Sequence, residues 1–254
     1  MVNRPKQKLV ALSILLFFGM IVYGQERPVA PEPPWADLER ELRQQGLKTD
    51  AESLVAITRS NVSEEKRWTA IEVLGLRNEQ LAKGTLLEIL RTGETQLLKE
   101  TAALALARLG DQAGVLGLEK FMKASTDPER QVFMAARLAE LGNRSGYQYV
   151  VQAVSGGVTH LRYISVGALV AFLPLTGDSR GSAAERLLAL LDDRDAMVRK
   201  EVLVYLPLAI LKGLPVTKVR PIVQKMARSD SDPAARELAR LMLISWDEAS
   251  RQKR

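Results

Sequence analysis

The chain has 254 residues, of which 46% are hydrophobic and 26% charged, so it can bury a core and is too apolar for a disordered chain. It has no cysteine and one histidine, His160, which excludes disulfide bonds, thiolate catalysis, zinc–thiolate sites and multi-histidine metal sites. The net charge of +6 falls to +3 when residues 1–24 are left out, too little to indicate a nucleic-acid-binding protein.

Residues 1–24 have the pattern of a secretory signal peptide. Three basic residues precede an apolar run at positions 9–23, and small residues occupy positions −3 and −1 before Gln25. The run of 15 residues is shorter than the ~20 that span a bilayer comfortably. We therefore expect export to the periplasm or beyond the cell. An uncleaved anchor in the inner membrane is the alternative, with membrane contact confined to residues 9–24.

A proline-rich segment follows the predicted signal. Residues 25–35, "QERPVAPEPPW", contain four prolines and predict an extended linker. Residues 36–46 predict a short charged helix that ends at a glycine. We place the folded domain at residues 36–254.

From about residue 50 the sequence repeats one pattern: an apolar segment, an acidic turn, a basic residue or glutamine, and a second apolar segment. The clearest copy is "LLALLDDRDAMVRKEVLVYLPLA". Within each copy, apolar residues recur at three- and four-residue intervals, which predicts helices. Steps of 32, 32, 31, 37 and 37 residues between equivalent positions predict a stack of helix pairs. Those positions are Arg67, Lys99, Gln131, Arg162, Arg199 and Arg236.

This pattern resembles the HEAT-repeat family, in the PBS-lyase-type variant whose second helix opens with an acidic turn and Val-Arg. The resemblance covers residues 50–248 approximately, and the fourth copy departs most, because "SGGVTH" replaces the acidic turn. It implies an all-α solenoid of about six antiparallel helix pairs and is nearly silent about function.

The acidic turns and the aligned basic residues are interpreted as a structural ladder. Aspartates in a turn between helices accept hydrogen bonds from the free amides that begin the second helix. The resemblance implies that each basic residue reaches the turn of an adjacent repeat. We expect these pairs to be partly solvated and to contribute at most ~1 kcal/mol each. The predicted ladder comprises Arg67, Lys99, Arg162, Arg199, Arg236, Asp192 and Asp193.

No motif in the sequence carries catalytic chemistry. His160 is the only available imidazole base, and no Gly-x-Ser-x-Gly elbow accompanies it. Phosphate-binding loops, dinucleotide fingerprints and HExxH are absent from the sequence. We therefore predict no catalytic residue, no metal and no cofactor. Some similar repeats occur in phycobilin lyase subunits, which would imply bilin attachment to a partner. The predicted signal argues against that activity, because those proteins work in the cytoplasm.

Two features predict protein partners. Four of the five tyrosines lie in or just after the fourth copy, and tyrosine is favoured at interfaces. Residues 194–254 carry a net charge of +6, against −3 for residues 25–193, which predicts a basic end facing an acidic protein or lipid surface. The candidate partner-binding residues are Tyr147, Tyr149, His160, Tyr163, Lys218, Arg220 and Lys225.

The sequence thus predicts an exported, non-catalytic scaffold or adaptor in the cell envelope. A membrane-tethered adaptor and an enzyme accessory or lyase-type modifier, with His160 at its working surface, are the alternatives.

Overall fold

The computed structural model describes residues 32–176 and 181–252. Those residues form thirteen α-helices and one 3₁₀ turn, with no strand among them. The predicted all-α fold class of HEAT-type helix pairs is confirmed. The predicted signal at residues 1–24 and most of the predicted linker lie outside the described residues.

The helices alternate with short turns along the chain. They are α1 (Ala36–Gln44), α2 (Ala51–Arg59), α3 (Glu64–Leu76), α4 (Lys83–Thr92), α5 (Gln96–Arg108), α6 (Gln112–Ala124), α7 (Pro128–Glu140), α8 (Tyr147–Ser155), α9 (Thr159–Thr176), α10 (Ala183–Leu190), α11 (Ala196–Leu211), α12 (Val216–Ser229) and α13 (Pro233–Gln252), with the 3₁₀ turn Gln80–Ala82 before α4. After α1 they make six consecutive pairs, α2/α3 through α12/α13. We call the members of each pair its first and second helix.

Local sequence sets where the second helices begin and where two of them end. The Asp127 carboxylate accepts a hydrogen bond from the Glu129 amide at 3.0 Å, and Pro128 follows as the first helical residue. Asp232 caps α13 in the same way, 2.8 Å from the Ala235 amide. Gly110 and Gly142 end α5 and α7 with φ of 76° and 79°, a left-handed conformation that favours glycine.

The described residues divide into two compact units, one ending at Tyr149 and the other beginning at Val150. In the N-terminal unit, α3 packs against α5, and α5 packs against α4 and α6. A side chain at Gly75 would lie 2.7 Å from the Ala105 Cα, so glycine is required where α3 crosses α5. The core of this unit includes Leu54, Ile71, Leu74, Leu86, Leu98 and Leu106.

In the C-terminal unit the second helices α9, α11 and α13 pack in succession, and the first helices α10 and α12 lie against them. The fully buried side chains of this unit include Leu169, Phe172, Leu187, Leu203 and Leu206. Three second-helix leucines, Leu106, Leu138 and Leu203, are all at most 1% exposed. The register of the helix pairs follows from this burial.

Candidate functional site

Arg162, at the start of α9, binds the turn of the next repeat. Its Nε donates to Asp193 Oδ2 at 2.8 Å and its Nη2 donates to Oδ1 at 3.2 Å. Its Nη1 also donates to the Gly156 carbonyl in its own turn at 3.3 Å. Each side chain of the ion pair is at most 8% exposed, so the pair is buried. The guanidinium thus joins two neighbouring turns.

The same arrangement recurs one repeat further on. Arg199 Nε donates to Asp230 Oδ2 at 2.9 Å, while Arg199 Nη1 donates to the Asp193 carbonyl at 2.8 Å. Arg236 in turn donates to the Asp230 carbonyl. Each aspartate therefore accepts one arginine on its carboxylate and the following arginine on its backbone. This buried ladder runs Arg162, Asp193, Arg199, Asp230, Arg236.

The ladder lowers the pKa of both aspartates. Burial alone would raise the pKa of Asp193, but the Arg162 guanidinium and the Asp195 amide outweigh it and hold the pKa below its ordinary value. The hydrogen bond from Arg199 is the largest cause that lowers the pKa of Asp230. Both carboxylates are therefore held in the charged form.

Burial of these two pairs corrects the sequence-based expectation. The predicted ladder pairs were expected to be partly solvated, but the side chains of Arg199 and Asp230 are 9% and 5% exposed. Asp192 was assigned to the ladder, but its side chain is 82% exposed and lies 3.6 Å from the Lys225 ammonium. The ladder carboxylate is Asp193, because the turn directs only that side chain beneath Arg162.

The N-terminal unit has a weaker version of this arrangement. Arg67 Nη2 donates to Glu94 at 2.9 Å, but the Glu94 side chain is 72% exposed. Lys99 forms no ion pair within the described residues, so its assignment to the ladder has no contact behind it. Instead the neighbouring Glu100 binds Arg130, and Glu72 binds Arg108 at 2.9 Å. In this unit, ion pairs along the second helices connect the repeats.

The exposed large apolar side chains of the described residues concentrate on second helices. Seven of eleven lie there. Phe133 is 55% exposed and its ring holds the Arg137 guanidinium 4.9 Å from its centroid. The seven are Leu97, Phe133, Met197, Leu208, Leu211, Leu241 and Ile244.

In the C-terminal unit, aromatic and acidic side chains gather where α9 faces α11. The Tyr163 phenol donates a hydrogen bond to the Glu201 carboxylate, and Tyr205 lies close enough to act on Tyr163. A Cβ at Gly167 would lie 3.1 Å from the Tyr205 hydroxyl, so the glycine makes room for that ring. We call Tyr163, Gly167, Glu201 and Tyr205 the acidic–aromatic cluster.

The cluster perturbs both titratable partners. Burial, followed by the charge and hydrogen bond of Glu201, raises the pKa of Tyr163 to about 12. Burial also raises the pKa of Glu201, and the hydrogen bond from Tyr163 only partly offsets this. A carboxyl group is therefore held in a poorly solvated place beside two phenols.

The sequence-predicted tyrosine surface falls into two parts. His160 is exposed and stacks on Tyr163, with ring centroids 6.4 Å apart and planes inclined by 19°. Tyr147 and Tyr149 are half-buried at the start of α8 and belong to the N-terminal unit. A single surface made by all four residues therefore stays a prediction.

The predicted basic end is partly neutralised by nearby carboxylates. Arg220 pairs with Asp247, and the Lys225 ammonium lies 3.6 Å from Asp192. Lys218 is exposed on α12. Arg220 and Lys225 thus have acidic neighbours that the sequence spacing did not indicate, which weakens the positive field of this end.

Sequence reasoning missed Glu201 as a candidate site residue. The signal was present, because Glu201 is the single acidic residue in the segment "MVRKEVLVYLPLA". Met197, Glu201 and Tyr205 follow one another at four-residue spacing and so share a helix face. Placing that face of α11 against α9 would have paired Glu201 with Tyr163.

In the described part of the chain, no group of three or more histidine, aspartate or glutamate side chains is arranged to hold a metal ion. None of the helices at 32–176 and 181–252 combines the length and apolarity needed to cross a membrane.

Comparison with known proteins relates part of the chain to a family. Residues 51–137 match the family model of HEAT repeats. The match begins with α2 and ends within α7, so it covers the first three helix pairs. No curated protein matches the chain.

Proposed function

Because residues 51–137 match the HEAT-repeat family and the described chain has its all-α fold, we propose that this protein is a non-catalytic scaffold or adaptor that holds protein partners in the cell envelope. HEAT repeats generally mediate protein–protein interaction. The observation that carries the proposal is the concentration of exposed apolar and aromatic side chains on second helices. Such side chains supply most of the binding energy of protein interfaces when a partner buries them.

The C-terminal unit provides the most developed part of this surface. Met197, Tyr205 and Leu208 lie on one face of α11, because they recur at intervals that return to the same side of a helix. Tyr163 and His160 supply the facing part of α9. A partner laid across these helices would cover apolar area that no described residue covers.

Export is the second part of the proposal. It rests on the sequence of residues 1–24, in which a basic segment precedes a 15-residue apolar run and a small-residue cleavage motif. The scaffold would then act in the periplasm or at the outer face of the inner membrane. If the signal is retained, residues 9–24 would tether the same scaffold to that membrane.

Site-specific photo-crosslinking tests the interaction surface. A benzophenone amino acid is placed at Met197 or Leu241 on second helices, and matched controls carry it at Leu87 or Leu116 on first helices, which are similarly exposed. We expect discrete crosslinked products from the second-helix positions in cells that express the protein at its native level. Equal crosslinking from both sets of positions would contradict the proposed surface.

The modifier alternative has a separate test. His160→Ala should leave crosslinking and any dependent cellular activity nearly unchanged, since one exposed polar side chain rarely dominates an interface. Circular dichroism first establishes that the variant is folded. If the variant lost the cellular activity but kept its crosslinks, the scaffold proposal would be rejected in favour of the modifier alternative.

A further inference from the structure

We propose that the acidic–aromatic cluster of the C-terminal unit binds a cationic side chain, arginine or lysine, of a protein partner. The inference rests on the proposed scaffold function and deepens it, because it gives the chemistry of one residue that the partner must supply. Tyr163, Glu201 and Tyr205 form the site, where α9 packs against α11.

The geometry places a carboxylate and two aromatic rings around one position. Tyr163 and Gly167 are one helical turn apart on α9, and Glu201 and Tyr205 are one turn apart on α11. Tyr163 donates to Glu201, and the Tyr205 hydroxyl lies over Gly167. All three side chains are half-buried, so each keeps an edge open to solvent that a ligand can reach.

Within the described residues, no cation balances Glu201. The neighbouring basic residues are committed elsewhere: Arg162 to Asp193, Arg199 to Asp230, and the Lys200 ammonium to Asp232 at 3.5 Å. The groups that act on Glu201 are its own burial and the Tyr163 phenol, with no basic group among them. The second tyrosine near Glu201 is Tyr205. His160 stacks on the first, Tyr163.

A partner cation would resolve this imbalance. A guanidinium or ammonium attracts a carboxylate and also interacts favourably with the faces of tyrosine rings. Both attractions are stronger in a poorly solvated place than in bulk water. The exposed Met197 and Leu208 on the same helix would hold the apolar stem of the side chain.

The test uses synthetic peptides and the full chain, with no need for the natural partner. Ac-Gly-Gly-Arg-Gly-Gly-amide is titrated into protein carrying ¹³C-labelled tyrosine, and the ring signals of Tyr163 and Tyr205 are followed by NMR. The matched peptide has citrulline, a neutral isostere of arginine. Lysine and norleucine peptides make a second pair, and spermidine tests whether a free polyamine is preferred to a peptide side chain.

We expect saturable shifts of both rings with the arginine or lysine peptide, and binding at least tenfold weaker for the neutral peptides. Glu201→Gln keeps an acceptor for Tyr163 and should reduce arginine-peptide binding at least tenfold, whereas Glu237→Gln on α13 should not change it. Equal binding of citrulline and arginine, unchanged binding by Glu201→Gln, or tighter binding of spermidine than of either cationic peptide would overturn the inference.

The two proposals fail separately. Crosslinking from Met197 together with no peptide binding would reject the cation site and keep the scaffold. Peptide binding that depends on Glu201 without any second-helix crosslink would support the site and reject the scaffold surface.

Discussion

Arg199 and Asp230 are 31 residues apart in the sequence and form a two-bond ion pair that is almost completely buried. The same separation joins Arg162 to Asp193. Two consecutive junctions between repeats thus contain the same contact, made by the same atoms. In each pair the arginine also donates a hydrogen bond to a backbone carbonyl of its own turn. Its guanidinium therefore has hydrogen-bond partners in both turns.

The first prediction compares a ladder arginine whose partner is buried with one whose partner is exposed. Arg199→Ala leaves Asp230 buried and uncompensated, and should lower the free energy of unfolding by about 3–5 kcal/mol. Arg67→Ala should lower it by about 0–1 kcal/mol, because its partner Glu94 is 72% exposed. Urea melts of both variants measure the difference. Similar losses for the two arginines would contradict the burial described here.

The second prediction concerns acid stability. The folded-state pKa values of Asp193 and Asp230 are lowered, so the stabilisation is present above the unfolded-state pKa of about 3.9 and is lost as pH falls through the folded-state values. Below pH 4, the urea concentration at the unfolding midpoint should fall less steeply in Asp230→Asn than in the wild-type protein. Asp192→Asn is the control, since that side chain lies in solvent. A wild-type acid profile in Asp230→Asn would argue against the ladder.

The third prediction concerns the core. Leu106→Ala, Leu138→Ala and Leu203→Ala should each lower the free energy of unfolding by about 2–5 kcal/mol, because every one of these side chains is at most 1% exposed. Leu211→Ala is the matched control at 69% exposure on the second helix α11. A loss at Leu211 as large as at Leu203 would mean that the register of α11 is wrong.

The fourth prediction concerns the acidic–aromatic cluster. The Tyr163 pKa of about 12 depends first on burial and then on Glu201. Glu201→Gln removes the negative charge, which opposes the tyrosinate, and should therefore lower the Tyr163 pKa. An NMR titration of the labelled ring measures it in both proteins. An unchanged Tyr163 pKa would place Glu201 away from the phenol.

The fifth prediction concerns processing of the exported protein. The small residues at positions −3 and −1 predict a mature N-terminus at or near Gln25. N-terminal sequencing and the intact mass of protein from the envelope fraction should both give this start. A full-length product that only detergent extracts would instead establish the membrane tether.

Much of the fold followed from the sequence because periodicity and helix ends are local signals. The turn at Asp127-Pro128 and the stop at Gly110 depend on backbone chemistry within a few residues. The helix pairs follow from the repeated alternation of such signals with apolar segments. This is why the predicted set of about six helix pairs agrees with the structure.

The site was less predictable because it depends on contacts between residues far apart in the sequence. Asp192 and Asp193 are chemically identical and adjacent, yet only Asp193 faces Arg162, and the turn conformation decides which. Glu201 becomes notable only when α9 brings Tyr163 against it. The burial of the ladder likewise depends on how neighbouring repeats pack against each other. The spacing of residues along the sequence does not reveal that packing.

The double use of each ladder aspartate makes these repeats compatible with copies of themselves. Asp193 presents a carboxylate toward the repeat before it and a carbonyl toward Arg199, and Asp230 does the same for Arg199 and Arg236. A repeat with both residues therefore has a leading edge that fits its own trailing edge. Tandem duplication of such a segment would create a matched junction without any new mutation. The ladder thus gives the array a direction, and it offers one route by which a repeat array can lengthen.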